Sequence, residues 1–339
     1  MSREEAHRVL VTGGAGFIGS TLVDRLLAED LAVDVVDDLS TGSLANLAEA
    51  RSSGGRLSFH QLDIRSQDLV ALMARRRPEI VYHLAAQADV RVSVDRPAFD
   101  AEVNIIGTIQ VLEGARVAGS ARVVMAASGG TLYGDPKPSR LPIDERAPQR
   151  PLSPYGVSKK AAIDYMVAYR ALYGLEYTAL ALANVYGPRQ DPHGEAGVVA
   201  IFAGRLLGGQ DCTIYGDGSQ TRDFVFVDDV VDAFARAGRL GSQGRITGGG
   251  GRGGGMVLNI GTGVETSVSS LYETMARAAG VERPALKAPP RTGELQRSSL
   301  DPGKARRQLG WEPWTTLEQG AAAVLAATRS RPSRRASKA

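Results

Sequence analysis

Short apolar runs alternate with amphipathic stretches along the first half of the chain. The apolar runs, rich in β-favouring residues and predicted to be buried strands, cover residues 8–12, 33–36, 57–62, 80–84, 121–126 and 177–181. The amphipathic pattern favours helices over residues 17–27, 67–77, 104–118 and 158–173. Strands that alternate with helices form a parallel sheet with right-handed crossovers. The sequence therefore predicts an α/β fold built on a doubly wound parallel sheet.

The pattern changes after about residue 184, where shorter elements at 198–207, 228–240 and 267–279 lie between loops rich in proline and glycine. We expect a smaller α/β lobe that lies over the sheet and binds the substrate. The predicted main domain covers 1–183 and roughly 224–262, and the lobe covers 184–223 and 263–327. Residues 241–255 include nine glycines, which predicts a mobile surface loop.

Composition and charge exclude several classes of protein. The 339 residues are 43% hydrophobic and 23% charged, as in ordinary globular proteins. The single cysteine, Cys212, permits no intramolecular disulfide or cysteine-based zinc site, and the four histidines lack ligand spacing, so no metal is expected. The net charge of +3 comes from a basic tail, 328–339, predicted to be disordered, with five cations and no acid. The rest of the chain carries a small negative charge, and we expect no nucleic-acid partner.

The amino terminus also bears on location. It carries acidic residues where a signal peptide has an apolar run, and no stretch approaches 18 apolar residues. We therefore expect a cytoplasmic protein with no membrane partner.

A glycine motif follows the first predicted strand. Gly13, Gly16 and Gly19 are spaced G-x-x-G-x-x-G where the strand ends and the helix begins. The first glycine permits a tight turn, the second lets a pyrophosphate approach the backbone, and the third allows close packing of helix on strand. The amino-terminal residues of the helix, Phe17 and Ile18, present N–H groups to the phosphates. The motif predicts a dinucleotide site.

The second predicted strand ends at Asp37-Asp38, eighteen residues beyond the last glycine. A carboxylate there accepts hydrogen bonds from the adenosine ribose and repels a 2′-phosphate, so NAD is predicted rather than NADP. Asp63 and Ile64 follow the third strand, and two interpretations are open for them: loop polarity or an adenine contact.

The most specific chemical pattern is Tyr155-Gly-Val-Ser-Lys159 at the start of a predicted helix. Residues four apart lie on one face of a helix, so the phenol and the ammonium face the same way. A fixed ammonium, together with an oxidised nicotinamide, lowers the pKa of the phenol towards neutrality. Tyr155 is therefore predicted to be a general base, with Lys159 tuning it.

These motifs resemble the extended short-chain dehydrogenases/reductases, in the NAD-dependent epimerase/dehydratase family, and most closely the UDP-glucose (UDP-galactose) 4-epimerases. The resemblance runs from about Val9 to Trp314. It includes T-G-G-A-G-F-I-G at 12–19, D-D-L-S-T-G at 37–42, H-L-A-A-Q at 83–87, Y-G-V-S-K at 155–159, N-V-Y-G-P-R-Q-D-P at 184–192 and L-G-W-E-P at 309–313. It implies a Rossmann-type fold and 4-epimerisation of a UDP-hexose through a transient 4-keto sugar on tightly held NAD.

The resemblance also implies roles for individual residues. Further cofactor contacts fall on Ser40, Thr41, Gly42, Leu84, Ala85, Ala86, Gln87 and Asn104. Contacts to the UDP moiety fall on Asn184, Val198, Val199, Thr213, Tyr215, Arg222, Arg291 and Glu294. Two arginines suit bidentate contacts to a pyrophosphate. Helices 104–118 and 158–173 lie where relatives form a four-helix interface, which implies a homodimer.

Three positions bear on the exact reaction. The family commonly has Ser or Thr where this chain has Gly129, so Ser128, Thr131 or a water molecule must supply the hydroxyl to the sugar, and we favour Ser128. Ser298 replaces a bulky tyrosine found in enzymes restricted to unmodified hexoses, which led us to hypothesise that 2-acetamido sugars are accepted too. Arg189 lies in a loop that would meet a C6 carboxylate, which keeps a UDP-glucuronate 4-epimerase open.

Two other functions stay open from the sequence. A nucleotide-sugar 4,6-dehydratase shares the tyrosine and lysine but needs an Asp/Glu pair where this chain has Gly130 and Thr131. A non-catalytic NAD-binding sensor could keep the fold without needing Tyr155 or Lys159.

Overall fold

The computed structural model describes residues 7–192, 197–240, 255–291 and 295–330. A parallel sheet of seven strands forms its centre, in the order β11-β6-β5-β4-β1-β2-β3. These strands are β1 Arg8–Thr12, β2 Ala32–Asp37, β3 Leu57–Gln61, β4 Ile80–His83, β5 Arg122–Ser128, β6 Glu176–Leu182 and β11 Met256–Ile260. The chain crosses from one half of the sheet to the other between β1 and β4, which creates a crevice at their carboxyl ends.

Helices cover both faces of this sheet. Those of the first half are α1 Phe17–Ala28, α2 Ala48–Ser52, α3 Gln67–Arg76, α4 Val90–Asp95, α5 Pro97–Ala101, α6 Gly107–Ala118, α7 Gly129–Leu132 and α8 Pro154–Tyr173. Short 3₁₀ turns lie at Leu44–Leu47 and Pro138–Arg140, and a π-helical turn at Glu102–Ile106. The apolar sides of α3, α6 and α8 form one core layer, and those of α1 and α10 (Val227–Gly238) belong to the other.

The remaining elements form the smaller α/β part. Its strands pair in twos and are β7 Asn184–Tyr186, β8 Thr213–Tyr215, β9 Thr221–Arg222, β10 Phe224–Phe226, β12 Thr266–Ser267 and β13 Leu286–Ala288. Its helices are α9 Val198–Leu207, α11 Val268–Ala279, α12 Gly303–Leu309 and α13 Leu317–Ser330. Buried apolar residues of α9, α11 and α13 join the same core layer as α1 and α10.

The predicted doubly wound α/β fold is confirmed, and each predicted strand and helix is present within a few residues of its predicted bounds. The helix predicted over 104–118 starts differently, because residues 102–106 form a π-turn that places Asn104 in the interior. The basic tail predicted from residue 328 was placed too early. Helix α13 continues to Ser330, since Thr328 Oγ1 donates to Val324 O over 2.8 Å. Residues 331–339 and most of the glycine-rich segment, 241–254, lie outside the described residues.

Candidate active site

The glycine turn after β1 is packed against the loop that follows β4. Gly13 has φ +70°, and a Cβ there would lie 2.6 Å from the Ala85 nitrogen. A Cβ on Gly19 would lie 2.0 Å from the Gly13 carbonyl oxygen, whereas one on Gly16 would meet only that oxygen, at 3.2 Å. The space beside Gly16, at the start of α1, is therefore open for a ligand with phosphate groups.

Asp37 and Asp38 have different surroundings at the end of β2. Asp37 is buried. Its carboxylate accepts hydrogen bonds from the backbone nitrogens of Ala15 and Leu39, each with a length of 2.9 Å. Burial raises the pKa of Asp37, and the neighbouring charge of Asp38 raises it further, against these two hydrogen bonds. Asp38 is exposed and accepts from Ser40 N and Oγ. Asp37 therefore holds the glycine turn to the strand, and Asp38 is the more accessible acid.

Three further predicted cofactor positions lie around this crevice. A Cβ on Gly42 would lie 2.8 Å from Asp37 Oδ1, so the 40–42 loop packs on the buried acid. Asp63 is bound by Arg65, whose hydrogen bonds hold the pKa of the carboxyl below its usual range. Ile64 is buried against Gly107. The structure thus gives Asp63 an internal partner in its own loop.

Asn104 links the loop after β4 to the helix that carries Tyr155. Its Oδ1 accepts from Gln87 N over 2.9 Å, and its Nδ2 donates to Gln87 O over 2.8 Å. The same Nδ2 reaches Asp100 Oδ1 at 3.0 Å and Ser158 Oγ at 3.2 Å. Both the oxygen and the nitrogen of the Asn104 amide group thus have partners within the protein. Asn104 therefore holds the loop at Gln87 in place against α8. The sequence reasoning did not select Asp100 or Ser158, because the contact between Asn104 and α8 depends on the tertiary fold.

A buried chain of hydrogen bonds runs behind the same loops. Thr108 Oγ1 donates its one proton to Asn104 O at a distance of 2.6 Å. In its contact of 3.0 Å with His83 Nε2 it must therefore be the acceptor, and Nε2 carries the proton. His83 Nδ1 then accepts from Thr12 Oγ1 at 2.8 Å. This arrangement requires a neutral imidazole. Burial, with a smaller contribution from Lys159, lowers the pKa of His83 to about 3.

The tyrosine–lysine pair, Tyr155 and Lys159, lies on the first two turns of α8. Ser153 caps this helix by accepting from Gly156 N at 3.2 Å, and Pro154 occupies its first position. Lys159 is 4% exposed and its Nζ donates to Ala126 O over 3.1 Å. The same Nζ lies 5.8 Å from the centroid of the Tyr155 ring. The ammonium is thus fixed between the phenol and the carboxyl end of β5.

The two candidate hydroxyls differ in their access to the site. Ser128 is the last residue of β5, two positions after the carbonyl that holds Lys159, and it is partly exposed. Thr131 Oγ1 is buried and makes no hydrogen bond within the described residues. The Thr131 backbone oxygen would lie 3.0 Å from a Cβ on Gly156, next to Tyr155. Ser128 is therefore the hydroxyl that a ligand can reach.

A cavity of about 410 Å³ lies in the smaller part of the molecule. Among its lining residues are seven that the sequence reasoning selected, namely Asn184, Val198, Val199, Thr213, Tyr215, Arg222 and Arg291. The Arg291 guanidinium stacks 4.0 Å from the centroid of the Tyr215 ring. Arg205 also lines the cavity, and its Nη1 donates to Asp211 O over 3.0 Å. Sequence reasoning missed Arg205, since an arginine within a helix usually indicates a solvated face.

Two predicted substrate residues do not line this cavity. Arg189 pairs with two acids of the main domain: its Nη1 lies 2.6 Å from Asp24 Oδ2 and its Nη2 lies 2.8 Å from Glu49 Oε2. These two carboxylates compensate the guanidinium charge, and the contact of Arg189 to a C6 carboxylate stays a prediction. Ser298 is 5% exposed, so its small size does not enlarge the cavity wall. Glu294 lies outside the described residues.

Neither metal nor membrane features appear in the described ranges. No group of three or more His, Cys, Asp or Glu side chains there has a metal-binding arrangement. None of the helices in those ranges combines the length and the apolar character that a bilayer span requires.

Fold and site together define a Rossmann-type dinucleotide-binding protein with a tyrosine–lysine pair and an arginine-lined cavity. The family model described as GDP-mannose 4,6 dehydratase matches residues 10–324. The UDP-glucose 4-epimerase of Mycolicibacterium smegmatis is 51% identical over 318 residues, which are 94% of this chain and 97% of that relative. The chain therefore belongs to the NAD-dependent epimerase/dehydratase family, which confirms the resemblance seen in the motifs.

Two solved structures are similar over almost the whole chain. The UDP-glucose 4-epimerase of Thermotoga maritima, solved with UDP-glucose, has a TM-score of 0.86 and 41% identity and covers 95% of this chain and 98% of its own. The UDP-glucose 4-epimerase of Thermus thermophilus, solved with NAD, has a TM-score of 0.83 and 40% identity, with coverage of 95% and 99%.

The neutral state of His83 predicts a specific pH dependence of stability. Below about pH 6.5 the unfolded chain binds a proton that the folded chain binds only near pH 3. The stability contributed by neutral His83 is thus complete above pH 6.5 and is lost as the pH falls. Between pH 7 and 4.5 we expect the wild type to lose about 2 kcal/mol more unfolding free energy than His83→Gln. Urea unfolding at both pH values measures this, and parallel losses would contradict it.

Proposed function

We propose that this protein is an NAD-dependent UDP-hexose 4-epimerase that interconverts UDP-glucose and UDP-galactose. The observation that carries the proposal is the placement of Tyr155 and Lys159. The buried ammonium is anchored to Ala126 at the end of β5 and faces the phenol, beside the crevice where β1 and β4 end. The similarity to UDP-glucose 4-epimerases over 94% of the chain supports the same reaction.

The residues of the crevice fit NAD. The open side of Gly16 and the start of α1 provide room and N–H groups for a pyrophosphate, and Asp38 provides an accessible acceptor for ribose hydroxyls. The residues proposed to hold NAD are Gly13, Gly16, Phe17, Ile18, Gly19, Asp37, Asp38, Ser40, Thr41, Gly42, Asp63, Ile64, Leu84, Ala85, Ala86, Gln87, Tyr155 and Lys159, with Asn104 positioning Gln87. When bound, NAD supplies the reversible hydride exchange at sugar C4.

Tyr155 moves the proton in this mechanism. Its phenolate takes the proton of the sugar 4-hydroxyl and later returns a proton to the carbonyl oxygen of the 4-keto sugar. Lys159 stabilises the phenolate, because its ammonium is fixed by Ala126 O and excluded from water. Ser128 donates or accepts a hydrogen bond at the same sugar oxygen, since its hydroxyl is accessible and that of Thr131 is buried.

The cavity of the smaller part would hold the nucleotide end of the substrate. Arg222 and Arg291 give it positive charge suited to a diphosphate, and Tyr215 stacked on Arg291 offers an aromatic surface for a base. Arg205 adds a third cation to the same wall. The turn after β5 carries no acid at Gly130 or Thr131, so no observation favours the dehydratase alternative.

The proposal includes a homodimer that acts in the cytoplasm. Helix α8 exposes Val157, Val167 and Leu172 at about half or more of their surface, and the neighbouring 102–118 helical segment exposes Ile106 and Val117. Adjacent apolar side chains on two long helices are typical of a protein–protein interface. Sedimentation of the purified protein measures its oligomeric state.

The direct test is incubation of the purified protein with UDP-galactose. We expect UDP-glucose as the product, with the equilibrium also reached from UDP-glucose. Separation of the nucleotide sugars by chromatography measures both directions. A 4-keto-6-deoxy sugar would indicate a dehydratase, and an unchanged substrate with protein that contains NAD would indicate a sensor.

Tyr155→Phe removes the base and keeps the ring. We expect kcat to fall at least about 10²-fold while NAD remains bound, because only the proton acceptor is lost. Tyr165→Phe, on the exposed part of the same helix, is the matched control and should retain wild-type kcat. Steady-state epimerisation and the absorbance of bound cofactor measure the two quantities. A Tyr155→Phe enzyme with wild-type kcat would show that another group is the base.

A further inference from the structure

A segment near the end of the chain reaches the catalytic turn. In this segment, residues 298–301, Leu300 is fully buried. Ile143 N donates to Ser299 O over 2.9 Å, and Asp301 N donates to Ile143 O over 2.8 Å. These bonds fix the backbone on both sides of Leu300.

The Leu300 side chain fills the space beside Gly129. A Cβ on Gly129 would lie 2.3 Å from Leu300 Cδ1, and 3.1 Å from both Leu300 Cδ2 and the Ala181 carbonyl oxygen. Gly129 lies in α7 without a positive φ, so its backbone conformation does not require glycine. The requirement is one of volume: Leu300 and a side chain at position 129 compete for the same space.

Asp223 connects Leu300 to the substrate cavity. This buried carboxylate accepts from Leu300 N at 3.1 Å, from Thr262 N at 2.8 Å and Oγ1 at 2.6 Å, and from Gly263 N at 3.0 Å. Asp223 follows Arg222, which lines the cavity, and its carbonyl oxygen accepts from Asn184 N over 2.9 Å. One residue thus fastens the cavity wall and Leu300 together.

We propose that Leu300 is a positioning residue for the Ser128–Gly129 turn, holding the Ser128 hydroxyl at the reacting carbon through its contact with Gly129. The proposal rests on the function given above and deepens it. Leu300 lies beside Gly129 and is not among the residues that line the cavity. Loss of its side chain therefore changes the chemical step and leaves nucleotide binding intact.

The first test replaces the side chain. Leu300→Ala should lower kcat for UDP-galactose about tenfold, with KM within about twofold of wild type, because the turn loses its support. Leu300→Met, which keeps the volume, should restore most of kcat. Leu26→Ala, at an equally buried position of α1 in the other core layer, is the control for lost core packing and should keep wild-type kcat. If Leu300→Ala does not fold, Leu300→Val is measured in its place, with a kcat loss of about threefold expected.

The second test exchanges volume between the two positions. Gly129→Ala should lower both the thermal midpoint and kcat, because its methyl group overlaps Leu300. The double variant Gly129→Ala/Leu300→Ala places that methyl group in the vacated space, so its kcat should exceed that of either single variant. A double variant whose kcat does not exceed that of the better single variant, or a Gly129→Ala enzyme with wild-type kcat and midpoint, would overturn the proposal.

The wild-type assay separates the two levels of inference. Wild-type protein that does not epimerise UDP-galactose contradicts the proposed function. The positioning role alone is contradicted if the wild type is active and the Leu300→Ala variant keeps the wild-type kcat, including the case in which only its KM rises or its thermal stability falls.

Discussion

The whole site depends on the close approach of two backbone segments at the centre of the sheet. Gly13 lies so near Ala85 that no side chain fits between them, and this contact joins the carboxyl ends of β1 and β4. The candidate site residues lie around this contact: the acids at the end of β2 on one side, and Asn104 and α8 on the other.

Polar side chains keep this junction in one arrangement. The chain from Thr12 through His83 to Thr108 has a single consistent direction, since the last hydroxyl donates to a carbonyl oxygen. It joins the glycine turn to the π-turn that carries Asn104, which in turn bonds to Gln87 and Ser158. Hydrogen bonds among buried polar groups favour one geometry, because a shift would leave buried polar atoms unpaired.

Much of this could be predicted from the sequence because it depends on local patterns. The apolar runs predicted the strands. The glycine motif and the Tyr155–Lys159 pattern predicted which helix starts carry the candidate site residues. The π-turn at 102–106 could not be predicted, since its apolar spacing is close to that of an ordinary helix. The ion pairs of Arg189 could not be predicted for another reason. Its partners, Asp24 and Glu49, are brought to it only by the tertiary fold.

The Asp223 contacts have a consequence for how the molecule is made. Leu300 joins a turn that is synthesised much earlier, at the end of β5, and the intervening chain includes the entire cavity wall. A nascent chain that has emerged from the ribosome as far as α8 already contains Tyr155 and Lys159. It still lacks the Leu300 side chain that packs beside Gly129. With the positioning role proposed for Leu300, catalytic competence is acquired late in biosynthesis, after nearly the full polypeptide has left the exit tunnel.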